Sequence, residues 1–246
     1  MKEVAKKLLI RGNKLLNQPY DTIKFTKVAE ADKLLNDLTN HSHAFVLACI
    51  MDRQIKAEKA WLIPHRFRLL LGSFKFGRLK RLSRQEIRDY FRNNNLHRFN
   101  DQMADNFYYA IQDIEQKYNG FAANIWANSP RSATIVRRFL QFRGAGVKIA
   151  TMAANILARD FKIPMADKYC IDISPDVQVK RVFIRLGLIS QNSTNEELIY
   201  SARELNPDYP GIFDFSAWEI GRKWCRPTHA KCNDCYLRRH CPKIMI

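Results

Sequence analysis

The chain has 246 residues, 46% of them hydrophobic, and carries 41 Lys and Arg against 24 Asp and Glu, a formal net charge of +17. That length supports one large or two small domains with a real core, and no apolar run reaches the eighteen or so residues that span a membrane. A cationic excess of this size repels itself until a polyanion neutralises it. Nucleic acid is therefore the expected partner, and a membrane role is not, because the cations are spread through helical segments rather than gathered in one polybasic tail.

Glycine and proline are scarce, nine each. Long segments space their apolar residues as helices do, and few alternate as strands do. The opening residues MKEVAKKLLIRGNKLL are amphipathic and charged. They lack the apolar stretch of a signal peptide, so a cytoplasmic, non-secreted protein is expected, nucleoid-associated if prokaryotic. The spacing predicts helices over 3–17, 28–39, 43–60, 65–71, 83–93, 99–118, 131–141, 147–160, 175–187, 194–204 and 214–224, an all-α chain with short loops. Asn40 or Ser42 is positioned to cap the helix carrying Phe45, Val46, Leu47 and Ile50. Ser83-Arg84-Gln85-Glu86 reads as a capping box, and Asn119-Gly120 closes the helix that ends at Tyr118.

From Arg66 to Arg92 nine cations (Arg66, Arg68, Lys75, Arg78, Lys80, Arg81, Arg84, Arg88, Arg92) meet two anions, and Phe67, Phe74, Phe76, Tyr90 and Phe91 interleave with them. Base stacking is one reading of that pattern. Core aromatics beneath a solvated basic face is the favoured one, and such a face still neutralises phosphates.

In TIVRRFLQFRGAGVKIATMAANILA (134–158), Gly144 and Gly146 bracket a short turn between two helical stretches. Glycine there permits positive φ and close approach of another backbone. The second helix begins near Val147 with free N–H groups, an anion site of the kind that grips a DNA phosphate without reading sequence. The plain alternative is an αα corner.

Near the C-terminus, Cys225, Cys232, Cys235 and Cys241 are spaced C-x6-C-x2-C-x5-C. Four thiolates so close in sequence can surround one inorganic centre, as a [4Fe–4S] cubane requires. Structural zinc and two disulfides are the rivals. Zinc loops usually pair their ligands twice, and a chain kept in a reducing compartment keeps its thiols reduced. Cys49 and Cys170 stand alone and read as ordinary buried residues. Cations flank the loop, among them Arg226 and Lys231.

These segments together resemble the endonuclease III-type helix-hairpin-helix DNA glycosylases. FRGAGVKIA (142–150) is similar to that family's LPGVGRKTA hairpin, PDVQVKRV (175–182) to its VDTHVxRV, and the cysteine spacing to its iron–sulfur motif. DRQIKAEKAW (52–61) is more loosely similar to SAQATDxxVNKA, and LHRFNDQMA (96–104) to LYNSKAENI, so the resemblance runs over about 43–241. It implies a six-helix barrel with the hairpin, roughly 43–156, and a discontinuous helical domain, 1–42 with 157–246, that carries the cluster loop, with the active site in the groove between the two.

The resemblance further implies Lys148 as the catalytic amine and Asp176 as the catalytic carboxylate, each assigned by its place in a matching motif. A lysine becomes nucleophilic when burial and neighbouring cations favour its neutral form, and Arg137, Arg138 and Arg143 are near in sequence. Asp176 stands at the start of a predicted helix, where it also reads as a cap. Asp172 is the competing carboxylate, but its following residues do not match the family. Gln54 falls where the family carries the glutamine that fills the gap left by an extruded base. Arg143, Gly144, Gly146, Arg226, His229 and Lys231 are the implied DNA contacts, and Cys225, Cys232, Cys235 and Cys241 the implied ligands of a [4Fe–4S] cluster.

The activity so implied is base-excision repair by a monomer: flipping of a damaged, by default oxidised, base from double-stranded DNA, its release, and abasic-site lyase chemistry through a Lys148 Schiff base. The alternatives are a monofunctional glycosylase for alkylated or mismatched bases and a DNA-binding protein without catalysis. Three departures bear on substrate choice. The segment FKIPMADKYCIDIS lengthens the path between Lys148 and Asp176, Arg143 replaces the family's hairpin proline, and Val177-Gln178 replaces its Thr-His.

Overall fold

The computed structural model describes residues 2–244, and every regular element among them is helical. The described α-helices are α1 (Glu3–Leu16), α2 (Ala29–Asn36), α3 (Ser42–Met51), α4 (Ala57–Leu71), α5 (Phe76–Leu79), α6 (Arg84–Asn93), α7 (Asn100–Tyr118), α8 (Ser132–Leu140), α9 (Val147–Arg159), α10 (Val177–Arg185), α11 (Asn195–Leu205) and α12 (Asp214–Lys223). Short 3-10 turns add Ala122–Ile125, Pro210–Phe213 and Cys232–Asp234. The chain divides into two compact units, one of Asp21–Asn128 with Arg137–Ile149 and the other of Met1–Tyr20, Ser129–Val136 and Ala150–Ile246. Residues 1, 245 and 246 lie outside the described set. Residues 21–42, expected with the discontinuous domain, fall in the first unit, and the chain passes between units within α8 and again within α9.

The first unit is built around α3, whose residues are all buried. SHAFVLACIM has no polar face to offer water, so it is stable only when surrounded. Phe45 meets the rings of Trp61 at 6.0 Å and Trp126 at 6.2 Å. The expected cap is corrected here. His41 occupies the cap position with no side-chain bond, and Ser42 enters the helix, where its hydroxyl accepts the Ala123 N–H at 3.1 Å. Asn40 turns instead to Asp37, at 3.1 Å.

The predicted helix over 43–60 is also corrected. It is two helices separated by a bend at residues 52–56, and the segment predicted as a separate helix over 65–71 is the second half of α4. Asp52 ends α3 with a non-helical φ/ψ of −77°/65°.

The basic segment resolves in favour of core aromatics. Phe67, Phe74 and Phe91 are at most 2% exposed, and Phe67 packs on Phe107 at 5.0 Å. Arg84 and Arg88 converge on the buried Asp105 with bonds of 2.8 Å from each Nε. These two guanidiniums, Arg84 foremost, hold the Asp105 carboxyl well below the usual carboxylate range although burial opposes them. The box at Ser83 and Glu86 forms as read, and Asn119 and Gly120 close α7 at φ values of 54° and 72°.

In the second unit α1 lies against the Pro210–Phe213 turn. A Cβ added at Gly12 would stand 2.3 Å from the Ile212 carbonyl oxygen, so only glycine allows this approach. Arg11 pairs with the buried Glu219 of α12 at 3.1 Å. Phe183 of α10 meets Phe213 edge-on at 6.3 Å. Burial makes polar partners obligatory here: Asn155 of α9 accepts the Tyr209 hydroxyl at 2.9 Å and donates to the Asp172 carbonyl at 3.1 Å.

Candidate functional site

The hairpin turn follows α8, and its two glycines differ. Gly144 adopts φ +84°, and a Cβ there would lie 2.3 Å from Asn106 Nδ2, so both the backbone and the packing against α7 require glycine. Gly146 has no positive φ and open space where a Cβ would go, which corrects the expectation that both serve a left-handed turn. Arg143 is exposed, with its guanidinium 4.8 Å from the centre of the Tyr109 ring. Arg138 donates to the carbonyls of Asn124 (3.2 Å) and Ile125 (2.7 Å).

Lys148 is the second residue of α9 and its side chain is 31% exposed. Its Nζ lies 2.6 Å from Oδ2 of Asp52, a carboxylate only 7% exposed, and 3.5 Å from the Asp52 carbonyl oxygen. The expectation of a cationic setting is therefore corrected, since the charge facing this amine is negative. Asp52 stands at the C-terminus of α3, where the helix dipole also favours a cation. The α3 run is what carries Asp52 there, and its 96-residue separation from Lys148 is why the pairing is invisible in the sequence. Cys49, one turn back on α3, is fully buried, and burial first, then Asp52, pushes its thiol well above the usual range. His97 lies close by, 3.3 Å from the Met51 carbonyl, with burial lowering its pKa. Gln54 is exposed in the bend at 52–56, not on a helix, and holds φ 54°.

In the other unit Asp176 caps α10. Its backbone is extended (φ −87°, ψ 148°) and its Oδ1 accepts the Gln178 N–H at 2.8 Å. Asp172, the competing carboxylate, is buried and held by the Arg203 guanidinium through bonds of 2.7 and 2.8 Å.

The cysteine loop follows α12. Cys225 and Lys231 tie its start by donating N–H bonds of 2.8 Å to the carbonyls of Ile220 and Trp224. Arg181 and Arg185, one turn apart on α10, hold it from the side. Arg181 Nε donates to the Cys225 carbonyl at 2.8 Å, and Arg185 donates to the carbonyls of Arg226 (2.6 Å) and Pro227 (3.1 Å) and to Cys225 Sγ (3.5 Å). In the sequence Arg181 stood out only as a residue of the PDVQVKRV motif and Arg185 not at all, although their spacing on one helix face was readable. All four loop cysteines are half-buried and none is in a disulfide. Cys170, expected to be buried, is half-buried too. Burial first, then the neighbouring Cys225, Cys241 and Cys232, raises the Cys235 thiol, so the four sulfurs feel one another. Among the described residues no three His, Cys, Asp or Glu side chains are grouped as a single metal ion needs. Arg226, His229 and Lys231 are exposed at the loop's rim, His229 at φ 51°. No described helix is long and apolar enough to cross a membrane.

Comparison with known proteins gives consistent results. No protein-family model matches the chain. Endonuclease III of Thermotoga maritima is 31% identical over 107 residues, a match covering 43% of this chain and 45% of that protein's length. A solved structure of a trapped endonuclease III–DNA covalent intermediate superposes over 99% of this chain and 96% of its own, at a TM-score of 0.64 and 19% identity. A non-covalent endonuclease III–DNA complex gives a TM-score of 0.63 at 18% identity over 99% of this chain and 96% of its own. A thermostable thymine-DNA glycosylase gives 0.62 at 16% over 98% and 94%. The chain is thus endonuclease III-like, in its fold throughout and in its sequence over the matched stretch.

Proposed function

We propose that the protein is a base-excision DNA glycosylase with abasic-site lyase activity. The observation that carries this reading is the amine of Lys148, presented on the first turn of α9 directly after the hairpin, in a chain with the endonuclease III fold. The hairpin amides and the exposed cations Arg143, Arg226 and Lys231, with His229, bind phosphates of double-stranded DNA. Gln54, at the tip of an exposed bend, enters the base stack as the damaged nucleotide is extruded. Asp176, at the N-terminus of α10, stabilises the positive charge that develops on the sugar. The Lys148 nitrogen bonds to C1′, the base departs with the glycosidic electron pair, and the resulting Schiff base allows β-elimination on the 3′ side.

Cys225, Cys232, Cys235 and Cys241 are proposed to hold a [4Fe–4S] cluster. Four half-buried thiols outside any disulfide in one loop are the donor set such a group takes. The cluster supplies a fixed loop carrying Arg226, His229 and Lys231.

The second reading is base release without strand cleavage, favoured by the likeness to a thymine-DNA glycosylase. Borohydride trapping decides between them. Incubated with duplex DNA containing an abasic site, the protein is expected to form a covalent complex that Lys148→Ala abolishes. Base release from lesion duplexes without trapping supports the second reading, and neither, with DNA binding intact, removes catalysis from the proposal.

A further inference from the structure

We infer that Asp52 is a second acid–base residue of the Lys148 chemistry, accepting the proton that the amine must lose before it attacks and returning it when water leaves. This rests on the lyase reading above. The geometry is specific. Asp52 Oδ2 lies 2.6 Å from Lys148 Nζ, within reach for direct transfer, and the carboxylate is 7% exposed whereas the lysine side chain is 31% exposed. The proton acceptor is thus the more buried partner of the pair.

The chain ends α3 early to achieve this. Asp52 leaves the helix at ψ 65°, its N–H bonds back to the Cys49 carbonyl at 3.1 Å, and its side chain is committed to Lys148. In the SAQATD-like segment Asp52 stands where the resemblance has serine, so this carboxylate is a feature of the present chain. Cys49 on α3 is within electrostatic reach of it, His97 bonds to the carbonyl of the adjacent Met51, and burial favours the neutral form of both. Arg53 follows in the bend, half-buried, with its N–H bonded to the Met51 carbonyl at 2.8 Å. The Lys148 ammonium donates directly to this carboxylate.

The step balances without another reagent. As Nζ attacks the open-chain C1′ aldehyde of an abasic site, one ammonium proton passes to Asp52 and another to the aldehyde oxygen. The carbinolamine hydroxyl then takes the proton from Asp52 and leaves as water, and the nitrogen lone pair forms the protonated imine. Ammonium plus aldehyde gives iminium plus water, with Asp52 returned to carboxylate.

The experiment is the rate of borohydride trapping by Asp52→Asn, Asp52→Glu and the wild-type protein on abasic-site duplex across about pH 6 to 9.5. Asp52→Asn is isosteric but cannot take the proton. Its trapping rate is expected to fall about a hundredfold near neutrality, and the deficit to shrink as hydroxide takes over deprotonation. Asp52→Glu is expected to recover part of the rate, and DNA binding to stay unchanged. A purely structural pair predicts a deficit that does not vary with pH and is not rescued by glutamate, and that result overturns the inference, as does an unchanged or faster rate in Asp52→Asn. Should Asp52→Asn fail to fold, Asp52→Ser takes its place: a deficit that shrinks as pH rises supports the role, and a rate and pH profile equal to wild type overturn it. Trapping by the wild type with no Asp52 effect removes this inference alone, whereas no trapping by the wild type removes the lyase reading and this inference together.

Discussion

In the unit built on α3, Lys148 sits beside a helix that is buried on every side, and its turn is fixed by the contact of Gly144 with Asn106. In the other unit the four cysteines lie on a loop whose Arg226, Pro227 and Thr228 are exposed and whose fully buried apolar anchor is Leu237. The first region is held by packing. The second is held by hydrogen bonds from Arg181 and Arg185 to its backbone and, on the proposed reading, by the group its thiols bind. Packed regions tolerate loss of one polar contact and resist loss of volume or backbone freedom. A loop with little core depends on its cross-link, as small metal-bound segments do.

Removing one thiol should expose that dependence most fully. Cys235→Ser is expected to abolish bound iron and its broad visible absorption, and to open residues 225–241 to protease, while the α3 unit keeps its protection from hydrogen exchange. Iron analysis and exchange mass spectrometry read the two regions separately. Equal protease resistance in mutant and wild type breaks the contrast.

The hairpin gives the converse test. Gly144→Ala forces a side chain into φ +84° and onto Asn106, for an expected loss of about 2–4 kcal/mol. Gly146→Ala meets open space at an ordinary φ, so its effect on stability should stay within about 0.5 kcal/mol. Urea unfolding of both variants checks the pair. Similar losses would mean that packing does not fix the turn.

These two glycines also mark how far the sequence could be read. Gly-x-Gly between two helical patterns identified the hairpin, but the pattern is blind to what approaches from α7, and Asn106 is what separates the two positions. The capping box at Ser83 and the close of α7 at Asn119-Gly120 were legible because their partners are three to five residues away. The break after Met51 was not, because the apolar pattern continues towards Trp61 and the residue that ends the helix, Asp52, has its partner 96 positions on. The same holds for Asp172. Its motif context disfavoured it, yet the reason it is occupied, Arg203, lies 31 positions away on α11. Local chemistry was readable and long-range pairing was not.

Acid separates the two units by sign. His43 on α3 donates from Nε2 to the Phe74 carbonyl at 2.7 Å and is 3% exposed, and burial, aided by its neighbour His41, lowers its pKa to about 4. Unfolded, the imidazole titrates near 6.5. Its folded value is depressed, so the unfolded chain binds the extra proton first, and stability is lost as pH falls below about 6.5 towards 4, by about 2 kcal/mol at pH 5. Asp214 at the start of α12 behaves oppositely. Burial raises its carboxyl to about 6 against the pull of Arg159, so the folded state takes the proton first and its own unit gains as pH falls from about 6 towards 4. Asp105 contributes nothing to this window, since its stabilising ionisation is lost only below the unfolded carboxylate range. Between pH 7 and 5, hydrogen-exchange protection, corrected for the intrinsic slowing of amide exchange in acid, is therefore expected to fall in α3 and rise in α12. His43→Gln keeps a donor near Phe74 but cannot ionise, and should flatten the α3 response while leaving that of α12 unchanged. A loss of the same sign and size in both units would mean that one global opening, rather than these two buried groups, sets the acid response.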